Sequence, residues 1–143
     1  MSVQNILDRN RREVITIRAN ESLQGAANRM HHYRIGALVV KTDDAVTGLI
    51  SERDIIHAIS LHGQKALTMM VQDIASRSVI TIDSADTVKR AMSLMTHHRL
   101  RHLLVVEEGK LVGIVSIGDV VKLKLDEAAT EVGQLREYVM AGR

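Results

Sequence analysis

The chain has 143 residues, 45% of them apolar and none of them proline, enough to bury roughly two-thirds of the unfolded surface in one compact domain or two small ones. It contains no cysteine, which excludes disulfides, thiolate zinc sites and a cysteine nucleophile, and its formal charge of +2 is too small to argue for nucleic acid. No run approaches about 18 apolar residues and no basic stretch precedes an apolar one at the N-terminus, so no membrane span or signal peptide is expected, and a cytoplasmic protein is.

The elements come in two matching series. A lead-in helix carries Val3-Gln4-Asn5-Ile6, followed by a basic link with Arg9, Arg11 and Arg12 that reads as solvated, since no aromatic residues are interleaved for base stacking. The β-branched run Val14 to Ile17 is a predicted strand. Asn20, Glu21 and Ser22 then supply capping candidates for a helix whose Leu23, Ala26, Ala27 and Met30 fall at helical spacing. Two apolar strands, Ala37 to Val40 and Gly48 to Ile50, flank a turn with Asp43-Asp44, which suits antiparallel pairing, and a helix from Glu52 to about Leu61 closes the unit.

The series then repeats. Val71-Gln72-Asp73-Ile74 echoes the lead-in at an offset of 71 − 3 = 68, and Val79-Ile80-Thr81-Ile82 copies Val14-Ile15-Thr16-Ile17 at 79 − 14 = 65. The second offset holds without a gap through Ala26 and Ala91, His32 and His97, Arg34 and Arg99, Gly48 and Gly113, Ser51 and Ser116, and Asp54 and Asp119. Ser84, Asp86 and Thr87 open a helix with Val88, Ala91, Met92 and Met95. Leu103 to Val106 and Leu111 to Val115 flank Glu108-Gly109-Lys110, and a last helix runs from Ile117 to Met140. The order is β-α-β-β-α, twice, divided at residues 1–70 and 71–143. Two such units would pack about a pseudo-twofold axis to cover their sheets. The last helix outruns its counterpart, and its stripe of Val121, Leu125, Ala128, Ala129, Val132, Leu135 and Val139 suits either its own domain or another chain.

Few residues offer chemistry. Ser51-Glu52-Arg53-Asp54 and Ser116-Ile117-Gly118-Asp119 are variants of a helix capping box, with Ser as the cap and Asp at the third position. The same Asp could accept both hydroxyls of a ribose diol, and the two roles are compatible. A bound phosphate needs an Arg, a Lys or a helix N-terminus nearby. His31-His32 and His97-His98 are adjacent pairs whose side chains point about 100° apart on a helix, so no metal site is expected. Neither a Rossmann nor a P-loop glycine string is present, and no nucleophile has a base partner, which points away from an enzyme. Only Tyr33 and Tyr138 are aromatic, so any bound base would lie between aliphatic groups and peptide planes.

The segment Gly48-Leu49-Ile50-Ser51-Glu52-Arg53-Asp54, its copy Gly113-Ile114-Val115-Ser116-Ile117-Gly118-Asp119, and His98-Arg99-Leu100-Arg101-His102-Leu103-Leu104-Val105-Val106 resemble the signatures of cystathionine-beta-synthase (CBS) domains. The resemblance covers about Val3 to Leu125 and is nearest to the small stand-alone bacterial CBS pairs. It implies an α/β module with two clefts between the repeats that bind AMP, ADP, ATP, S-adenosylmethionine or NAD(H). It also implies a regulatory rather than catalytic role, a homodimer, and a regulated protein that the sequence does not identify. By position, Thr16, Ser51 and Asp54 would serve one cleft and Thr81, Ser116 and Asp119 the other, with Arg34, Arg53, Arg99, Arg101 and His102 as phosphate groups. Gly36-Ala37 stands where the second repeat has Arg101-His102, so the clefts are expected to be unequal. The rival expectations are a ligand-free interaction module dimerising through its C-terminal helix, a nucleotide hydrolase and a nucleic-acid binder.

Overall fold

Non-aromatic side chains build the interior: the largest fully buried ones are Ile, Leu and Val, Met30 and Met95 join them, and Tyr33 and Tyr138 are exposed. The structure, a computed structural model, describes residues 1–10 and 13–142. Arg11 and Arg12 of the basic link therefore lie outside the described residues.

The unit Glu13–Ile80 contains β1 (Thr16–Arg18), α2 (Leu23–Tyr33), β2 (Ala37–Thr42), β3 (Ala45–Ser51), α3 (Glu52–His62), a 3-10 turn and α4 (Val71–Ile74). Its sheet has the order β1-β2-β3, with β1 parallel and β3 antiparallel to β2. Ile17, Leu38, Val40 and Ile50 turn one sheet face onto Leu23, Ala26 and Met30 of α2 and Ile55 and Ala58 of α3, a single aliphatic core. Residues on alternate positions, Thr16, Val39, Leu49 and Ser51, lie on the other face.

The unit Met1–Arg12 with Thr81–Arg143 repeats this plan with α1 (Val3–Asn10), β4 (Thr81–Asp83), α5 (Val88–His98), β5 (His102–Glu107), β6 (Lys110–Ser116) and α6 (Ile117–Ala141). The sheet order is β4-β5-β6 with the same pairing senses. The β5–β6 turn has positive φ at both Glu108 and Gly109, as a two-residue hairpin loop of the I′ kind requires.

Two features depart from the sequence expectation. The first strands begin at Thr16 and Thr81, two residues later than the β-branched runs, because ladder pairing starts there with Val39 and Leu104. The division at residue 70 also does not coincide with the compact units, because the lead-in helices are exchanged. In α1, Val3 N–H donates to Asp86 O (2.8 Å) and Gln4 N–H to Ser84 O (2.9 Å), so the first lead-in docks ahead of α5. In α4, Val71 N–H donates to Glu21 O (2.8 Å) and Gln72 N–H to Ala19 O (2.9 Å), so the second lead-in docks ahead of α2. Orphan donors of each short helix are thereby satisfied by carbonyls of the other repeat.

The two motif glycines make this exchange possible. A Cβ at Gly48 would lie 2.6 Å from Ser76 O, a carbonyl held by its 3.0 Å bond from Leu49 N–H, and a Cβ at Gly113 would lie 2.6 Å from the Leu7 Cδ2 methyl of α1. Backbone cannot yield as the end of a side chain can. Gly48→Ala is therefore expected to cost about 1–3 kcal/mol, and Gly113→Ala clearly less. Urea midpoints at unchanged m-value check this order, and equal losses would contradict it.

Candidate functional site

In both units the last strand runs into the following helix with no intervening loop, and a Ser belongs to both elements. Ser51 N–H donates to Asp54 Oδ2 (2.8 Å), Ser51 Oγ–H to the same oxygen (3.1 Å), and Asp54 N–H to Ser51 Oγ (3.4 Å). At the second junction Ser116 N–H donates to Asp119 Oδ2 (2.8 Å) and Asp119 N–H to Ser116 Oγ (3.1 Å). Both capping boxes are thus complete, and the acids also sit favourably at the positive helix ends. Among the described residues the second carboxylate oxygen, Oδ1, takes no hydrogen bond at either site.

Strand register carries the neighbouring residues to these junctions. Ser116 pairs with His102, and Ile117 N–H donates to Arg101 O (2.8 Å), so Arg101, just before β5, and His102, its first residue, lie beside the start of α6. In the other unit Ser51 pairs with Ala37, and Glu52 N–H donates to Gly36 O (3.0 Å). Thr16 and Ser51 share the sheet face away from the helical core, and Thr81, His102 and Ser116 share the equivalent face. The bonds and ladder pairs therefore join Ser51 with Asp54, and join Arg101 and His102 with Ser116 and Asp119, while Thr16 and Thr81 lie on the same faces two strands away from the serines. Arg53 lies exposed in the first turn of α3, where Gly118 is its counterpart in α6.

Arg34 and Arg99 are placed differently. Each ends its helix in the left-handed region, with φ of 55° and 54°, and donates its N–H back to the last turn. Glycine is the usual occupant of such a position. Arg34 lines an opening of about 720 Å³ on the helical side, together with His31, His32, Ile35, Glu52 and Ile56, and neither Thr16, Ser51 nor Asp54 borders it. The histidine pairs sit in the last turns of α2 and α5, His97 edge-on to His98 at 4.8 Å, and among the described residues no group of three or more potential metal ligands occurs.

A cavity of about 220 Å³ in the unit that carries α6 was not foreseen. It is lined by Ile6, Arg9 and Asn10 of α1 and by Asp119, Lys122, Leu123 and Asp126 of α6. Arg9 Nη1 bonds Asp126 Oδ2 at 2.9 Å with both side chains about half exposed, a pair that ties α1 to α6 at modest energy. Asp119 thus shares an opening with two cations, Arg9 and Lys122. Lys122, three residues after Asp119 on one helix face, was recoverable from spacing. Arg9 was not, because its helix docks on the other repeat.

The family model for the CBS domain matches this chain twice, at residues 3–61 and 71–126. The chain belongs to the CBS domain family. The mitochondrial CBS domain-containing protein CBSX3 of Arabidopsis thaliana is 34% identical over 128 residues, 86% of this chain but only 62% of that relative, so the chain spans less than two thirds of its length. The crystal structure of the CBS-domain containing protein ATU1752 from Agrobacterium tumefaciens is 38% identical and superimposes with a TM-score of 0.83, covering 86% of this chain and 92% of that one. The CBS domain pair of protein MJ0100, in complex with 5'-methylthioadenosine and S-adenosyl-L-methionine, is 26% identical with a TM-score of 0.76 over 89% and 98%. No helix among the described residues of this CBS pair is long and apolar enough to cross a membrane.

The left-handed arginines give a direct test of strain in the CBS repeats. Arg34→Gly and Arg99→Gly should each stabilise the protein by about 0.5–1 kcal/mol, the relief of the left-handed backbone less the extra freedom of glycine in the unfolded chain. A fall in urea midpoint would show instead that the arginine side chains contribute packing.

Proposed function

We propose that this CBS pair is a regulatory module that binds an adenosine-containing nucleotide (AMP, ATP, NAD(H) or S-adenosylmethionine) and acts by binding rather than turnover. We also propose that it works as a homodimer on a partner protein. The observation that carries the reading is Asp119: its Oδ2 closes the cap of α6, its Oδ1 is open, and it borders a cavity shared with Arg9 and Lys122. A carboxylate for a ribose diol beside cations for a phosphate is the chemistry an adenosyl nucleotide asks for. The adenosyl ligands of the MJ0100 pair support the same reading.

The second repeat is the stronger site in this proposal. Arg101 and His102 flank Ser116 there, whereas Gly36 and Ala37 flank Ser51. Thr81 and Thr16 frame the base edge at the head of their strands, and the base itself packs against aliphatic side chains.

Thermal shift and calorimetry against AMP, ADP, ATP, NAD(H) and S-adenosylmethionine test the proposal. A ligand at about a hundred times its Kd adds roughly 2.7 kcal/mol, a rise of several degrees for a protein of this size. Asp119→Asn keeps an acceptor for the Ser116 N–H while removing the charge, so it should leave the melting temperature nearly unchanged and weaken binding roughly ten- to a hundredfold. No shift with any nucleotide, or full affinity in Asp119→Asn, would overturn the assignment. A second reading, a ligand-free interaction module, is favoured by the exposed apolar stripe of α6 and predicts a silent panel.

A further inference from the structure

Val120 and Leu123 turn the start of α6 onto its own unit, at 2% and 1% exposure, and from Ala128 onward every residue of the helix is exposed. That leaves about 20 Å of helix without tertiary support. A segment of this length is marginal by itself in water, and Gly133 within it weakens it further.

The apolar residues of α6 are ordered. Val121, Leu125, Ala128, Val132, Leu135 and Val139 recur at alternating spacings of four and three, the a and d positions of a heptad, roughly a third of a turn round from the face that meets the unit. All six are exposed, Leu125 by 65% and Leu135 by 63%. In this register Leu125, Val132 and Val139 are a positions and Val121, Ala128 and Leu135 are d positions, so one heptad sets β-branched Val132 at a beside Leu135 at d, the combination that favours two strands.

The flanking charges choose the occupant and its direction. With a second copy of the helix parallel and in register, each flanking residue faces the one five positions on. Glu131 then meets Arg136 of the second copy, twice by symmetry, Lys124 meets Ala129, and no like charges are opposed. With the second copy antiparallel and fully overlapped, Glu131 meets Glu131 and Lys122 meets Arg136, both contacts of like charge, and no opposite charges are paired. Among the described residues neither Glu131 nor Arg136 forms an ion pair within its own chain. We propose that α6 is half of a parallel, in-register two-stranded coiled coil between two copies of this chain, with Val121 to Val139 as its seam. This deepens the self-association proposed above and is independent of nucleotide binding.

Because the chain has no cysteine, introduced thiols report the geometry directly. Val121→Cys and Leu135→Cys, both at exposed positions that leave the unit's core intact, should each cross-link to its own counterpart under mild oxidation, while Thr130→Cys on the opposite side should not. In sedimentation equilibrium, Glu131→Arg and Arg136→Glu should each raise the dimer dissociation constant about tenfold, and the double exchange should restore it. A monomer at every concentration overturns both the seam and the proposed homodimer. A dimer indifferent to these charges, or one in which Leu135→Cys links only to Leu125→Cys, keeps the homodimer and overturns the parallel seam. Calorimetry with the nucleotide panel on the same variants should show unchanged affinity, which separates failure of the seam from failure of the ligand reading.

Discussion

Each repeat hinges on one closed ring of hydrogen bonds where a strand becomes a helix without a loop. Ser51 and Ser116 finish their strands in ladder register with the first residue of the neighbouring strand, and the Asp three residues on closes the backbone of the turn. The helix start, the beginning of the middle strand and one carboxylate are located by the same few bonds. The carboxylate is consequently held before any ligand arrives, and a group that need not be ordered on binding loses less free energy to immobilisation. With Oδ2 committed to the cap, Oδ1 remains for a ligand, and its two lone pairs suffice for both hydroxyls of a diol. Capping and the proposed ligand recognition are therefore compatible uses of one side chain.

The exchange of lead-in helices sets a second constraint. Neither residues 1–70 nor residues 71–143 contain a whole unit, because each sequence half lends its first helix to the other repeat. The Arg9–Asp126 pair joins residues 117 positions apart, and the small cavity beside Asp119 is walled by the first helix and the last. The lining of this cavity thus draws on the first helix and the last. Gly48 and Gly113 belong to this packing rather than to a ligand, since each gives way to a segment pressed against its strand.

The repeat was plain in the sequence because two copies kept one offset, and the structure repeats itself at that offset even in its left-handed residues: Arg34 with Arg99 and Asp43 with Glu108. Ser-x-x-Asp was legible as a cap because its function is local. The docking of the lead-ins was not, although the change of offset from 65 to 68 marked where they detach. They are held by the backbone carbonyls of Ala19, Glu21, Ser84 and Asp86, and backbone carbonyls leave no signature in side-chain identity. For the same reason the arginines at the ends of α2 and α5 could be read only as phosphate groups or solvated side chains. Nothing in their type reveals that they stand where glycine is usual.

The two repeats use one scaffold to unequal effect. Around Ser116 the strand start carries Arg101 and His102, and the lead-in adds Arg9 to a cavity that already holds Lys122. Around Ser51 the corresponding strand residues are Gly36 and Ala37, and the added cation, Arg53, sits in the first turn of α3. A positive charge there opposes the helix dipole unless an anion offsets both. One ligand presented to both sites would accordingly gain different free energies, and each 1.4 kcal/mol of difference is about tenfold in affinity. Under the proposed nucleotide binding, this inequality would let two repeats of one plan respond in steps, with the second repeat filling first.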